Sequence, residues 1–343
     1  MPEVDLFVSI KDYDELWRKI DNLVNNKNEN DKLSYKHRVL TTGDTMAYLK
    51  IAEGCSNYCT YCAIPYIQGK YISRKYEDIL DEANMLAKKG IQELVVIAQD
   101  TTKYGLDLYD IARLPELLND LCKIDGIKWI RFLYSYPESI TDELIEVVKN
   151  NDKICKYFDL PIQHISDEVL KKMNRKSDGN TIRNLISKLR TEIPNVILRT
   201  TLITGFPGET EEDFSILKDN LRKWKFDRLG CFIFSPEEGT PAYDMPDQID
   251  EETKQRRYDE IYELQKQISG DQSKKRLGTV TKVNICSVSD DGIFYVGRSY
   301  GESPEVDPVI YIASQEEELK IGEFYDVKIV DCSDDYDMTA VTI

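Results

Sequence analysis

Long apolar runs, positive charge and histidine are all scarce in this 343-residue sequence. No stretch approaches the ~18 apolar residues that begin to suggest a membrane span. The first thirty residues carry acids where a leader would have a basic segment followed by an apolar one. The chain is therefore expected to be cytoplasmic, free of the membrane and monomeric. Lys and Arg number 45 against 62 Asp and Glu, a net charge of −17. From Arg276 to Ile343 there are 5 basic and 14 acidic residues, net −9. Binding to a phosphate backbone draws on Lys and Arg displacing counterions, so nucleic acid is not expected as the direct substrate and a basic protein is. Acidic surfaces also serve solubility, and charge taken alone favours that plainer role. The only histidines are His37 and His164, too few for a metal site built on imidazole. No cysteine precedes Cys55, and five of the eight lie far apart, unlike the dense disulfide framework of a small secreted domain.

Between about residues 46 and 235, short β-branched or aromatic runs alternate with amphipathic stretches. Strands are expected at Ala47–Ala52, Glu93–Ala98, Trp129–Tyr134, Cys155–Leu160, Val196–Ile203 and Leu229–Phe234. Helices are expected at Tyr76–Lys89, Leu114–Lys123, Thr141–Asn150, Asn180–Glu192 and Glu209–Lys223. This alternation predicts an α/β fold, a parallel sheet of six strands closed or partly closed into a barrel, with an open doubly wound sheet as the alternative. Either architecture gathers ligands at the carboxyl ends of the strands. Residues 250–275 read as a connecting helix. From 276 to 343 the pattern turns to strands, at Thr279–Val288, Gly292–Arg298, Pro308–Ala313 and Phe324–Cys332, as in a small all-β barrel. Residues 37–249 form the main domain on this reading, and residues 1–36 a strand, a helix and a polar linker.

Three cysteines are clustered. Gly54-Cys55-Ser56-Asn57-Tyr58-Cys59-Thr60-Tyr61-Cys62 closely follows the first strand, with spacing C-x₃-C-x₂-C. Three thiolates suit three corners of a four-iron cube and leave the fourth iron open. An open coordination position distinguishes a reactive metal site from a structural one. The competing reading is a zinc knuckle, which normally needs a fourth ligand, from a scattered cysteine or from His37 or His164. The remaining cysteines, Cys122, Cys155, Cys231, Cys286 and Cys332, read as small apolar residues.

This constellation, with an aromatic before the last cysteine, resembles the radical S-adenosylmethionine (SAM) superfamily. Glu53-Gly54-Cys55, Tyr71-Ile72-Ser73-Arg74, Thr204-Gly205-Phe206-Pro207-Gly208-Glu209-Thr210 and the run from Phe234 to Ala242 look like the methylthiotransferases. The final barrel looks like their TRAM domain. Ala98-Gln99-Asp100-Thr101-Thr102, Gly297-Arg298-Ser299-Tyr300 and Ser303-Pro304-Glu305-Val306-Asp307 resemble the RimO type. The chain departs from the family at Gln68-Gly69, where a basic residue more often precedes the glycine, and at Asp307-Pro308, where a glycine commonly follows. The resemblance implies an enzyme that methylthiolates an aspartyl residue of small-subunit ribosomal protein twelve, a basic partner, using one [4Fe-4S] cluster on Cys55, Cys59 and Cys62, bound SAM and an external one-electron donor. The MiaB type, acting on a tRNA adenosine, is the rival; a zinc-bearing nucleic-acid-binding protein is the non-catalytic one. Family members also carry a front domain with three further cysteines for a second [4Fe-4S] cluster, so the chain is expected to be a fragment whose residues 1–36 are the remnant of that domain and its linker.

The resemblance places Tyr61 beside the SAM adenine, with ordinary packing between the cysteines as the equal alternative. Gln99 ends the second strand, where it could accept from the SAM ammonium, while neighbouring Asp100 reads more as a helix cap. Gln163 follows the fourth strand and Arg199 lies in the fifth, both placed for the SAM ribose or carboxylate, though a paired structural arginine competes for the second. Gly205 and Phe206 follow the fifth strand, where glycine allows close backbone approach to a ring. His164 reads as a packing residue, and no catalytic residue is assigned beyond the cluster ligands.

Overall fold

A computed structural model describes residues 4–8, 12, 15–24, 38–43, 45–314, 318–332 and 336–343. The chain divides into two compact units, Met1–Gly43 and Asp44–Ile343. In the first, a single helix spans Leu16–Leu23, and no strand occurs among the described residues. The polar linker expected after it and His37 lie outside the described residues.

The second unit begins with six parallel strands: β1 (Met46–Lys50), β2 (Glu93–Ile97), β3 (Trp129–Phe132), β4 (Tyr157–Asp159), β5 (Ile197–Thr204) and β6 (Arg228–Ile233). Ladders join β1 to β2 to β3 and β4 to β5 to β6, and an Ile130–Ile154 bridge connects the two sets. Sheet order thus follows chain order throughout. A doubly wound sheet reverses at a switch point, so that alternative is removed. Among the described residues no ladder returns from β6 to β1, which leaves the barrel open. Strands β2 and β3 are buried almost throughout, as expected of parallel strands covered on both faces.

Around the sheet run α1 (Tyr76–Lys88), α2 (Leu114–Leu121), α3 (Asp142–Asn150), α4 (Asp167–Lys172), α5 (Gly179–Glu192) and α6 (Glu211–Trp224), followed by α7 (Glu251–Arg276). Side-chain caps fix several starts: Thr141 accepts from the Leu144 amide, Asp178 from Thr181 and Asp250 from Thr253. At α6, Thr210 and Asp213 form a reciprocal capping box. The helix therefore starts at Glu211, two residues later than the sequence pattern suggests, and Glu209 is left free for another task. Helix α4 escapes the sequence pattern, since six residues are too few for a periodic signal.

The C-terminal barrel comprises β7 (Val280–Val288), β8 (Tyr295–Arg298), β9 (Ile310–Ala313), β10 (Phe324–Asp331) and β11 (Met338–Thr342), closed in the order β8-β9-β11-β10-β7. Its core is Val283, Ile285, Ile310, Ile312, Val327, Ile329, Met338 and Ala340. Strand β11 adds a fifth strand to the four that the sequence pattern marks.

This small barrel closes the amino ends of the six strands, and it meets the first residue of each. Met46, Trp129, Tyr157 and Ile197 share an apolar cluster with Tyr300 and Phe324, and the Phe324 ring stands edge-on to Trp129 at 4.7 Å between centroids. Glu93 accepts from Arg298 Nη2 at 2.7 Å and from Arg131 Nε at 3.2 Å, all three buried. Tyr157 donates its hydroxyl to Asp307 at 2.6 Å, and Arg228 pairs with Glu302 at 3.0 Å. Burial would raise the Glu302 carboxyl, yet the Arg276 and Arg228 guanidiniums outweigh it and hold its pKa at about 2. The Gly297–Tyr300 and Ser303–Asp307 motifs are thus interface segments. Two of the acids counted toward the −9 charge, Glu302 and Asp307, are spent inside the molecule and are not offered to a partner.

Candidate functional site

With the amino ends closed, the carboxyl ends remain for chemistry, and the three-cysteine loop lies there. It leaves β1 through a short antiparallel rung pairing Ala52–Glu53 with Ile72–Ser73. Gly54 sits at φ +69°, where a Cβ would come within 2.3 Å of the Lys70 carbonyl oxygen, so only glycine fits this turn. The Cys55 amide donates to the Gly69 carbonyl at 3.1 Å. From β2, Asp100 accepts from Asn57 Nδ2 at 2.9 Å and from the Thr102 hydroxyl, and the Tyr71 hydroxyl donates to its carbonyl. Burial pushes the Asp100 carboxyl up while those side-chain bonds oppose it. From the end of α4, the Met173 carbonyl accepts from the Thr60 amide at 3.1 Å, and Asn174 Nδ2 donates to the Tyr58 carbonyl at 2.8 Å. Three separate elements therefore clamp a loop that has almost no secondary structure of its own.

Cys55 and Cys59 are buried, Cys62 is half-buried, and all three are free thiols. Burial pushes the Cys55 and Cys62 thiols up, and each also lies within electrostatic reach of Cys59. A lone zinc ion needs its sulfurs at about 2.3 Å from one point. Among the described residues no set of three His, Cys, Asp or Glu side chains is gathered in that way. A four-iron cube asks instead that each thiolate take its own iron. The residues present fit that group, and Cys55, Cys59 and Cys62 would hold it.

The other candidates fall into three situations. Gln163 is buried at the end of β4 with φ +67°, and its Oε1 has no hydrogen-bond partner. A strained backbone carrying an unsatisfied amide oxygen is an arrangement suited to a donor from a ligand. Ser135, just beyond β3, likewise has a buried hydroxyl without a partner, and no motif in the sequence marks it. Gln99 is exposed, with Nε2 3.5 Å from Gln68 Oε1, and is free to turn toward a ligand. Tyr61 packs on Val169, Met173, Phe206, Phe234 and Ala242 beside the cluster loop.

Arg199 and the Gly205–Phe206 turn are already engaged. Arg199 Nη1 donates to Asp159 at 2.8 Å, and its Nε lies 3.8 Å from Asp307. Phe206 is fully buried with its ring edge-on to Phe234, so its backbone, and not its ring, is what the turn can present. Glu209 accounts for the turn's shape: its Oε2 accepts from the Gly205 and Phe206 amides and pairs with Arg257 of α7 at 3.3 Å. His164 stands behind it, Nε2 3.5 Å from Glu209 Oε1, wholly buried.

A profile of the Radical SAM superfamily matches residues 49–221, which include the whole cluster loop, and one of the TRAM domain matches residues 271–343. The ribosomal protein uS12 methylthiotransferase RimO of Alkaliphilus oremlandii is 57% identical over 98% of this chain and 77% of its own length. The protein of the same name from Acetivibrio thermocellus is 50% identical over 100% of this chain and 78% of its own. The chain belongs to the RimO family of radical SAM methylthiotransferases. Among solved structures, the radical SAM methyltransferase TsrM of Kitasatospora setae aligns at 17% identity and TM-score 0.49 over 57% of this chain and 38% of that one, too distant to bear on function. Membership of the radical SAM superfamily implies a [4Fe-4S] cluster and SAM, and the closed five-stranded barrel is the TRAM domain.

Proposed function

We propose that this chain methylthiolates an aspartyl residue of the small-subunit ribosomal protein uS12. The observation carrying the reading is near-full-length identity of 57% with a uS12 methylthiotransferase, joined to three clamped cysteines at the carboxyl end of an open barrel. When bound, the cluster and SAM would supply the one-electron radical chemistry needed to break an unactivated carbon–hydrogen bond of the acceptor. The chain's own residues prepare for that event. Cys55, Cys59 and Cys62 would hold the cluster through their thiolates, three protein ligands for a four-iron cube. Gln163 Oε1 and Ser135 Oγ offer buried unsatisfied oxygens to SAM donors, with Gln99 and Tyr61 at the rim. Arg199 serves by holding Asp159, whose carboxylate in turn accepts from the Tyr134 amide at 3.0 Å and so shapes the ends of β3 and β4. The TRAM barrel closes the amino end of the lumen against water, which a radical on an unactivated carbon requires. Among the described residues no helix is long and apolar enough to cross a membrane. Encounter with a ribosomal protein in the cytoplasm, and with an external one-electron donor, follows from the same reading.

We further infer that attachment of the methylthio group draws on a second [4Fe-4S] cluster. The other five cysteines offer none: Cys122 follows α2, Cys155 precedes β4, Cys231 and Cys286 lie in β6 and β7, and Cys332 follows β10. Incubating this chain with reductant, SAM, sulfide and uS12, while following 5′-deoxyadenosine and uS12 mass separately, is expected to give the nucleoside and no adduct. Nucleoside production that uS12 does not stimulate would argue against the substrate. Efficient methylthiolation would show that no second cluster is needed.

A further inference from the structure

Arg175 is a buried cation that nothing above accounts for. It lies three residues beyond α4 and is 8% exposed. Three other buried arginines and the half-buried Arg228 have carboxylates at hand: Arg131 and Arg298 share Glu93, Arg228 has Glu302 and Arg257 has Glu209. Arg175 has no carboxylate within ion-pair distance among the described residues; the Glu138 carboxylate lies farther off, within electrostatic reach. Its Nη2 donates to the Pro161 carbonyl at 2.9 Å, its Nε has no hydrogen-bond partner, and the guanidinium lies 4.1 Å above the centre of the Tyr136 ring. A buried charge with no counter-charge in contact is costly, so the site is suited to an anion. The remaining contact says which one. Nη1 is 3.9 Å from Cys59 Sγ, and the Tyr136 hydroxyl is 3.6 Å from the same sulfur. The position is fixed from the loop side too, because the preceding Asn174 ties this segment to the Tyr58 carbonyl.

We propose that Arg175, held flat on Tyr136, is a positioning residue for the iron–sulfur cluster: its guanidinium is the counter-charge of the Cys59 corner and raises the potential at which the cluster accepts an electron. The inference rests on the cluster reading above. A cluster ligated by thiolates is anionic and gains a further negative charge on reduction, so a fixed cation stabilises the reduced form more than the oxidised form. Tyr136 contributes in the same direction by donating to the sulfur, and its ring keeps the guanidinium from turning away. The SAM carboxylate is the other anion in reach of this end of the barrel, but both donors converge on sulfur.

The test uses the full chain, reconstituted anaerobically and assayed for iron before anything else. The fraction of reduced cluster is then read by electron paramagnetic resonance at fixed potentials, with and without SAM, for wild type, Arg175→Met, Arg175→Lys and Tyr136→Phe. At the wild-type midpoint, Arg175→Met is expected to raise the oxidised-to-reduced ratio at least about tenfold, which is about 59 mV for one electron. Arg175→Lys should fall between the two, Tyr136→Phe should shift the same way by less, and SAM should not be needed for any of these shifts. An iron-loaded Arg175→Met chain with the wild-type ratio overturns the proposal. So does a shift seen only with SAM, which assigns Arg175 to the SAM carboxylate. Should Arg175→Met lose its iron, wild-type ratios in both Arg175→Lys and Tyr136→Phe overturn it instead. A wild-type chain that takes up no iron removes the cluster reading itself.

Discussion

Each of the substitutions Cys55→Ala, Cys59→Ala and Cys62→Ala is expected to reduce iron uptake from about four atoms per chain to near zero and SAM cleavage to background. The size of the effect follows from the donor set. With three protein thiolates the cube has one open iron; with two it has two, and the cluster is exposed to loss. The loop itself offers no substitute, since Gly54–Cys62 contains no further cysteine and no histidine. The loop itself survives the change, being held by Gly69, Asp100 and Asn174 through contacts that involve no sulfur. Loss of iron should therefore come without loss of fold, and circular dichroism should show the helices unchanged. Cys122→Ala, at the end of α2, is the control and should load iron normally. Retention of iron by any of the three variants, or binding of one zinc in place of iron by the wild type, would contradict the assignment.

The second large effect lies at the other end of the barrel. Glu93→Gln leaves Arg131 and Arg298 facing each other in a fully buried setting, with one carbonyl-bearing amide in place of the shared carboxylate. Removing one partner from a buried ionic unit costs about 3–5 kcal/mol, because the other charges remain desolvated and unpaired. Although burial tends to raise the Glu93 carboxyl, Arg298 and Arg131 hold it below the ordinary value. A carboxylate depressed in the folded state contributes stability above its unfolded pKa of about 4.3 and loses it as pH falls through the lower folded value. The gap between wild type and Glu93→Gln in urea unfolding should therefore be full at neutral pH and shrink below about pH 4.3. A gap under about 0.5 kcal/mol at neutral pH would show that the TRAM barrel is held by its apolar contacts alone.

Much of this architecture is legible because its signals are local. The apolar runs of β1 through β6 and the amphipathic periods of the longer helices lie where the residue pattern puts them, most within two residues. The cysteine spacing identifies the chemistry because three thiolates within one eight-residue loop suit a four-iron cube and little else. What stays hidden depends on partners distant in sequence. Glu209 looks like the first acid of a helix, and only the capping box at Thr210 reveals that it is released to hold the Gly205 turn. Arg199 looks like a ligand-binding arginine until Asp159 and, 108 positions away, Asp307 are seen around it. Arg175 carries no signal at all: it follows a helix too short to show a period, and its relation to Cys59 spans 116 residues. The motif from Gly297 to Tyr300 is legible as a family mark, but its task, closing the barrel over Glu93 and Arg131, is visible only once the two barrels meet.

The central claim is that this chain directs radical chemistry at an aspartate of uS12, and one measurement reaches it without requiring sulfur transfer. An aspartate side chain has a single carbon bearing hydrogen, its methylene. Preparing uS12 with deuterium on the aspartate methylenes, adding it to the reconstituted chain with SAM and reductant, and weighing the 5′-deoxyadenosine formed asks directly where the radical goes. The account predicts deuterium in the nucleoside, lost when the acceptor aspartate is replaced. Nucleoside free of deuterium from uS12, together with deuterium taken from labelled tRNA adenosine, would contradict it.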